Sequence, residues 1–408
     1  MQNIMNIVIV GHVDHGKSTL IGRLFYDTDS LPVGVIEEIR KTCEMLGRDM
    51  EFAYLLDSLS EEREQNITID TTQSFFKTAK RKYAIIDAPG HKEFLRNMIT
   101  GAAQADAGVL IVSAEEGVQE QSKRHAYLLS LLGLKQVIVV INKMDKFEYG
   151  QTRFDELKNE MSVFLAKLGM APQQVIPISA REGDNVAQKS KNMPWYQGAT
   201  VLEALDGFVA KDEETQKPLR LPVQDVYKID DKRILVGRVE SGTISTGDAI
   251  VFLPSGKATM VKSVESFLKN TTTAYRGECI GITTTDPLFV ERGEIAIKQT
   301  EQKLVPTTTL NAVVFWMARK PVMCNQKILL RCATQEVSCV IERIHKRIDS
   351  SNVTVIEENA VQLNETEVGE VTIITTAPIV VENRTEGEEL GRFVLVADND
   401  VAGGGLVS

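Results

Sequence analysis

The sequence predicts an α/β domain built on a mostly parallel sheet with helices on both faces, followed by two all-β barrel domains. Three observations predict it. From Met5 to about Phe208, apolar β-branched runs alternate with stretches of helical period, which is the pattern of a parallel sheet covered on both sides. Near Lys211 the composition breaks at "KDEETQKPLRLP", which is charged, carries two prolines and shows no apolar period, and so reads as a linker. Beyond it, short apolar runs follow one another between turn residues with almost no helical pattern, as small closed barrels require. At 408 residues the chain exceeds what one core organises, and about two to four domains are expected. The boundaries read as 1–210, a linker 211–222, then 223–299 and 300–408.

The first strand is "NIVIV", and after it Leu20, Ile21, Leu24 and Phe25 fall at helical spacing, so a strand runs through a glycine turn into a helix. In that context G-x-x-x-x-G-K-[ST], here Gly11 to Ser18, is a phosphate-binding loop. Gly11 and Gly16 let backbone amides turn inward around phosphates, Lys17 reaches the terminal ones, and the Ser18 hydroxyl is placed to ligate Mg²⁺. The candidate contacts are Gly11, His12, Val13, Asp14, His15, Gly16, Lys17, Ser18 and Thr19, with His12 and His15 packing or bonding locally within the loop. A nucleoside triphosphate is the implied ligand.

The strand "YAIID" leads into "DAPGH". There the Asp87 carboxylate can hold Mg²⁺ through water, and the Gly90 amide can sense a γ-phosphate. Thr68, in "EREQNITID", is placed to complete the Mg²⁺ shell. His91 is the candidate to orient an attacking water, and Val13 and Ile67 are candidate apolar walls beside it. The strands "AGVLIVSA", "QVIVVIN" and "QVIPIS" complete the sheet. "NKMD", Asn142 to Asp145, ends one of them at the carboxyl edge where such folds bind ligands. The Asp145 carboxylate can accept from guanine N1–H and its 2-amino group, which adenine lacks; Asn142 can bridge base and phosphate loop, and the Lys143 stem can cover the base. "ISA" adds Ser179 and the Ala180 amide, a candidate donor to guanine O6. A polar site left unpaired with the wrong base discriminates strongly, so GTP with Mg²⁺ is expected.

The first barrel is read from "QDVYKI", "ILVGRVESG", "STGDAIVFLPSGK", "MVKSVESF" and "GECIGITTT", and the second from "TTTLNAVVFWM" to "GRFVLVAD". Hydrophobic content of 43% and charged content of 25% are those of a soluble globular chain. No apolar run spans a bilayer and the first residues form a strand rather than a signal peptide, so a cytoplasmic location is expected. The five cysteines, Cys43, Cys279, Cys324, Cys332 and Cys339, are odd in number and lack C-x-x-C spacing; reduced, mostly buried thiols are expected, with no zinc pattern even when His345 is added. A net charge of −10 argues against a broad nucleic-acid-coating face, though not against a local basic patch. The basic "KTAKRKY" reads as a turn between two strands.

With these residues in place, the chain resembles the translation-factor class of GTPases along its whole length, on "GHVDHGKST", "EREQNITID", "DAPGHKEFLRNMITGAAQADAGVLIVSA", "NKMD" and "ISA". Two relatives within the class fit. One is the elongation factor 1-alpha type, which carries aminoacyl-tRNA to the ribosome. The other is the large GTPase subunit of bacterial sulfate adenylyltransferase, which couples GTP hydrolysis to making adenylyl sulfate from ATP and sulfate. Either implies a GTPase domain followed by two β-barrels, with a long insert before the first switch, here "GVIEEIRKTCEMLGR". The phosphate loop looks like an elongation factor. The last domain, through "AVVFWMARKPV", "IERIHKRID", "LNETEVGEV" and "ELGRFVLVADNDVAGGG", looks like the sulfate-activating subunit, including Trp316, Met317 and the turn from Arg347 to Asp349. Physically Trp316 and Met317 read as barrel core. Asn66 stands where either family usually has glycine, and asparagine tolerates positive φ better than most residues. The resemblance favours the sulfate-activating subunit and so implies a separate small adenylylating subunit as partner. The alternative implies aminoacyl-tRNA and the ribosome; neither implies DNA or a membrane.

Overall fold

A computed structural model describes residues 4–31, 73–87, 105–209, 217–229, 232–266, 269–301, 304–383 and 390–408. Thr68, Gly90, His91, Ile67, Asn66 and Cys43 lie outside the described residues, and Asp87 is described as the last residue of its strand without its side chain. The chain divides into two compact bodies, Met1–Ala210 with Ser350–Val353 and Lys211–Asp349 with Thr354–Ser408. Among the described residues no helix is long and apolar enough to cross a membrane.

The first body holds β1 (Ile4–Gly11), β2 (Gln73–Lys77), β3 (Lys82–Asp87), β4 (Ala107–Ser113), β5 (Val137–Asn142) and β6 (Gln174–Pro177). They form a six-stranded sheet in the order β2-β3-β1-β4-β5-β6, antiparallel only between β2 and β3. "KTAKRKY" is the turn of that antiparallel pair, closed by the Thr78 amide on Arg81 O at 2.9 Å. β4 and β5 are buried along their whole length, which is why they read as unbroken apolar runs. Four described helices accompany the sheet: α1 (Lys17–Asp27), α2 (Glu120–Leu131), α3 (Gln151–Lys167) and α4 (Val201–Gly207). Leu20, Leu24 and Phe25 of α1, with Val201 and Leu205 of α4, pack on Ile7, Ile9, Val109 and Ile111 of the sheet. α4 opens with a capping box, Thr200 and Glu203 each bonding the other's amide.

In the second body, two barrels each close on themselves. Ala249–Leu253 pairs with Lys257–Ser266 to close the first, and Lys327–Cys332 pairs with Gln335–Asp349 to close the second. The first barrel strand begins at Leu221, inside the segment read as linker. Leu219, Leu221 and Val223 alternate inward into the barrel core, a period of two that the neighbouring prolines and charges obscure. Between the barrels, Ile295, Ile297, Val380 and Leu390 form an apolar seam. The Gln335 amide pairs with both backbone groups of Val380, at 2.8 and 2.7 Å. Arg220, buried, donates to Glu382 Oε1 from Nη2 at 2.6 Å and from Nε at 3.0 Å, and its Nη1 lies 3.7 Å from Glu301. Trp316 and Met317 are buried, and the Trp316 indole donates to Lys320 O at 2.9 Å. Cys332 and Cys339 are buried, whereas Cys279, at the start of its strand, is exposed.

Candidate nucleotide site

The parallel register brings Gly11 opposite Ile111 and Ser113 opposite Asn142, so β1, β4 and β5 deliver their loops to one carboxyl edge of the sheet. β1 ends at Gly11, and α1 starts at Lys17 with Gly16 as its N-cap in the left-handed region, φ 91°. A Cβ at Gly11 would overlap the Ile111 side chain and carbonyl, and one at Gly16 would overlap the Asn142 amide. At these two positions only backbone fits. α1 has no side-chain N-cap and no acid in its first turn, so its leading N–H groups and positive dipole end are not neutralised by a carboxylate of their own helix. Such a terminus suits an anion. The Lys17 ammonium is buried and donates to Gly11 O and His12 O, each at 2.8 Å. Ser18, one residue on, is exposed, and its hydroxyl fits a cation held at the rim of the loop.

His15 is fully buried, and it bonds across to the sheet rather than within the loop: its Nδ1 meets Ile111 O at 3.3 Å, with the His12 ring edge-on. Burial lowers its pKa to about 4, with His12, Lys17 and Lys143 acting the same way against the Ile111 bond. The imidazole is neutral at pH 7, so its 3.7 Å approach to Glu116 is not an ion pair.

At the base end, Asn142 is buried and spans two loops. Its Nδ2 donates to His15 O and its Oδ1 accepts from the Ala180 amide, both at 2.9 Å. The Ala180 amide, read as a donor to guanine O6, thus already has an acceptor, and reaching a base requires sharing or exchanging that bond. Asp145 Oδ1 accepts from Ser179 Oγ at 2.7 Å, which makes Ser179 the group that orients the carboxylate. Lys143 adopts φ 62°, and its ammonium lies 3.1 Å from Glu115 and 3.6 Å from Glu116. Sequence reasoning missed both glutamates, although they stand directly after a strand ending at this edge. It also missed His125 of α2, whose Nδ1 accepts from the Gly11 amide at 3.0 Å.

Residues 2–211 match the family model "Elongation factor Tu GTP binding domain", and residues 309–408 match "GTP-eEF1A C-terminal domain-like". A protein of Methanocella arvoryzae named Elongation factor 1-alpha is 37% identical over 413 residues, covering 99% of this chain and 97% of its own. One of the same name from Thermococcus sibiricus is 40% identical over 415 residues, again covering 99% and 97%. The solved structure of sup35 complexed with GDP is a distant likeness, 23% identical with a TM-score of 0.46, covering 100% of this chain and 94% of that one. Likeness to elongation factor 1-alpha from end to end overturns the expectation of a sulfate-activating subunit with a small adenylylating partner. Of the last-domain features that favoured it, Trp316 and Met317 are buried in the barrel, as their chemistry predicts.

Proposed function

This chain belongs to the translation-factor class of GTPases, in the elongation factor 1-alpha family, and on that premise we propose that it binds and hydrolyses GTP and, in its GTP form, carries aminoacyl-tRNA to the ribosome. The observation that carries this reading is the joint likeness of GTP-binding domain and C-terminal domain, spanning nearly the whole chain, to proteins of that name. The work is placed in the cytoplasm. Domains of 1–210, 223–299 and 300–408 serve it, the leading strand of the first barrel reaching back to Leu221 in the segment read as linker.

Within the first domain, the amides from Gly11 to Thr19 surround the phosphates, and Lys17 exchanges its two carbonyls for phosphate oxygens. Ser18, Thr68 and Asp87 would hold Mg²⁺, which would supply charge neutralisation at the phosphates. Asp145, oriented by Ser179, accepts from the guanine edge; Lys143, anchored by Glu115 and Glu116, covers the ring; Asn142 ties base loop to phosphate loop. Gly90 senses the γ-phosphate, and His91 orients the attacking water while Val13 and Ile67 wall it.

The test is protection of the aminoacyl ester. The GTP-loaded chain should slow spontaneous deacylation of aminoacyl-tRNA, the GDP-loaded chain should not, and the effect should weaken with salt because phosphates are contacted. A chain that holds GTP tightly yet leaves the ester unprotected refutes delivery and keeps only the GTPase.

A further inference from the structure

His125 sits within α2, 114 residues from Gly11, and no sequence motif points to it. Its ring is fully buried and its Nδ1 accepts from the Gly11 amide at 3.0 Å. The Gly11 carbonyl, on the next peptide, receives the Lys17 ammonium at 2.8 Å. The two peptide planes that meet at Gly11 are thus each fixed, one from α2 and one from the lysine. Ile111 closes the side on which a Cβ would stand.

An imidazole accepts at Nδ1 only when that nitrogen carries no proton, and burial, helped by Lys17, His12 and His15, holds the His125 pKa down at about 3. The remaining proton is on Nε2, which is buried and has no hydrogen-bond partner among the described residues. A buried donor without an acceptor is a cost to stability, and a leucine of similar size would avoid it. What the histidine supplies that leucine cannot is the acceptor for Gly11.

We propose that His125 is a positioning residue of the nucleotide site, fixing the entry of the phosphate loop so that Lys17 and the loop amides are set for phosphate. This rests on the nucleotide-binding reading above. It touches no substrate itself; it acts through Gly11.

Two variants and one measurement on the unaltered chain test it. His125→Leu removes the acceptor while keeping the volume, and His125→Asn places an amide Oδ1 near the former Nδ1. With fluorescent GDP and GTP, the dissociation constants of His125→Leu should rise roughly tenfold or more, and those of His125→Asn should stay within about threefold of the parent. Equal weakening in both variants, or no weakening in His125→Leu, overturns the proposal. ¹⁵N-histidine spectra of the unaltered chain at pH 7 should show the Nε2–H tautomer at this position. An Nδ1–H tautomer or an imidazolium overturns the proposal even if His125→Leu fails to fold. If the unaltered chain binds no guanine nucleotide while the tautomer is as expected, the nucleotide reading fails and takes this role with it.

Discussion

Replacing Gly16 by alanine tests whether the phosphate loop and the base loop share one construction. Gly16 holds φ at 91°, a left-handed conformation that costs an L-residue roughly 1 kcal/mol. The added methyl is aimed at Asn142 Nδ2, so the amide must leave. Its departure breaks the 2.9 Å bond to His15 O and, because Oδ1 moves with Nδ2, the 2.9 Å bond from Ala180. Because Asn142 competes with a base for the Ala180 amide, only the backbone strain and the bond to His15 O count against binding, at about 1 kcal/mol each; the total is about 2 kcal/mol, or roughly thirtyfold in nucleotide affinity. Stopped-flow or equilibrium titration with fluorescent GDP measures it. Gly169→Ala is the internal control, since Gly169 holds φ at 68° with no atom of the described residues within 4 Å of the added methyl. That variant should lose about 1 kcal/mol of stability and no affinity. If Gly16→Ala binds within about threefold of the parent, or loses no more than Gly169→Ala, the shared construction is refuted.

Asp145→Asn exchanges an acceptor for a donor suited to the 2-carbonyl of xanthine, so preference should move from GTP to XTP in competition titrations; an unchanged GTP preference contradicts the role of Asp145. Arg220→Met strands the buried Glu382 carboxylate and should cost about 3–5 kcal/mol in urea unfolding followed through Trp316, with Arg220→Met/Glu382→Leu recovering most of it. A single variant within about 1 kcal/mol of the parent removes that argument. For His15, the folded pKa lies below the unfolded value of 6.5, so the unfolded chain binds more protons as pH falls and stability declines from pH 6.5 towards about 4. About 2 kcal/mol should be gone at pH 5, in excess of the change seen in His15→Gln, and a pH-independent difference between the two chains counts against a neutral buried imidazole.

Much of the first body is legible in the chain because its strands are buried on both faces and need no partner to be recognised: β4 and β5 are apolar throughout. The glycines at 11 and 16 are legible for a related reason, since each stands where a Cβ has no room. What is illegible is non-local. Nothing near His125 in sequence announces that its acceptor serves a residue 114 positions away. The Ala180 amide has the right chemistry for a base carbonyl, but only geometry shows Asn142 competing for it. The alternation at Leu219, Leu221 and Val223 is present in the sequence, yet two prolines and flanking charges mask so short a period. The choice between relatives went astray on the last-domain stretches, in part because residues such as Trp316 and Met317 that fill a closed barrel answer to volume and carry little about function.

Arg220 stands just beyond the segment that joins the two bodies, and its grip on Glu382 and Glu301 has a mechanical meaning. Tension arriving along the chain at this point is not borne by the first barrel's leading strand alone. It passes through the guanidinium to the second barrel, where yielding would strand the Glu382 carboxylate near an apolar seam. A tug on the joining segment therefore displaces both barrels together as one load, and neither can lag behind the other without first paying for an unpaired ion.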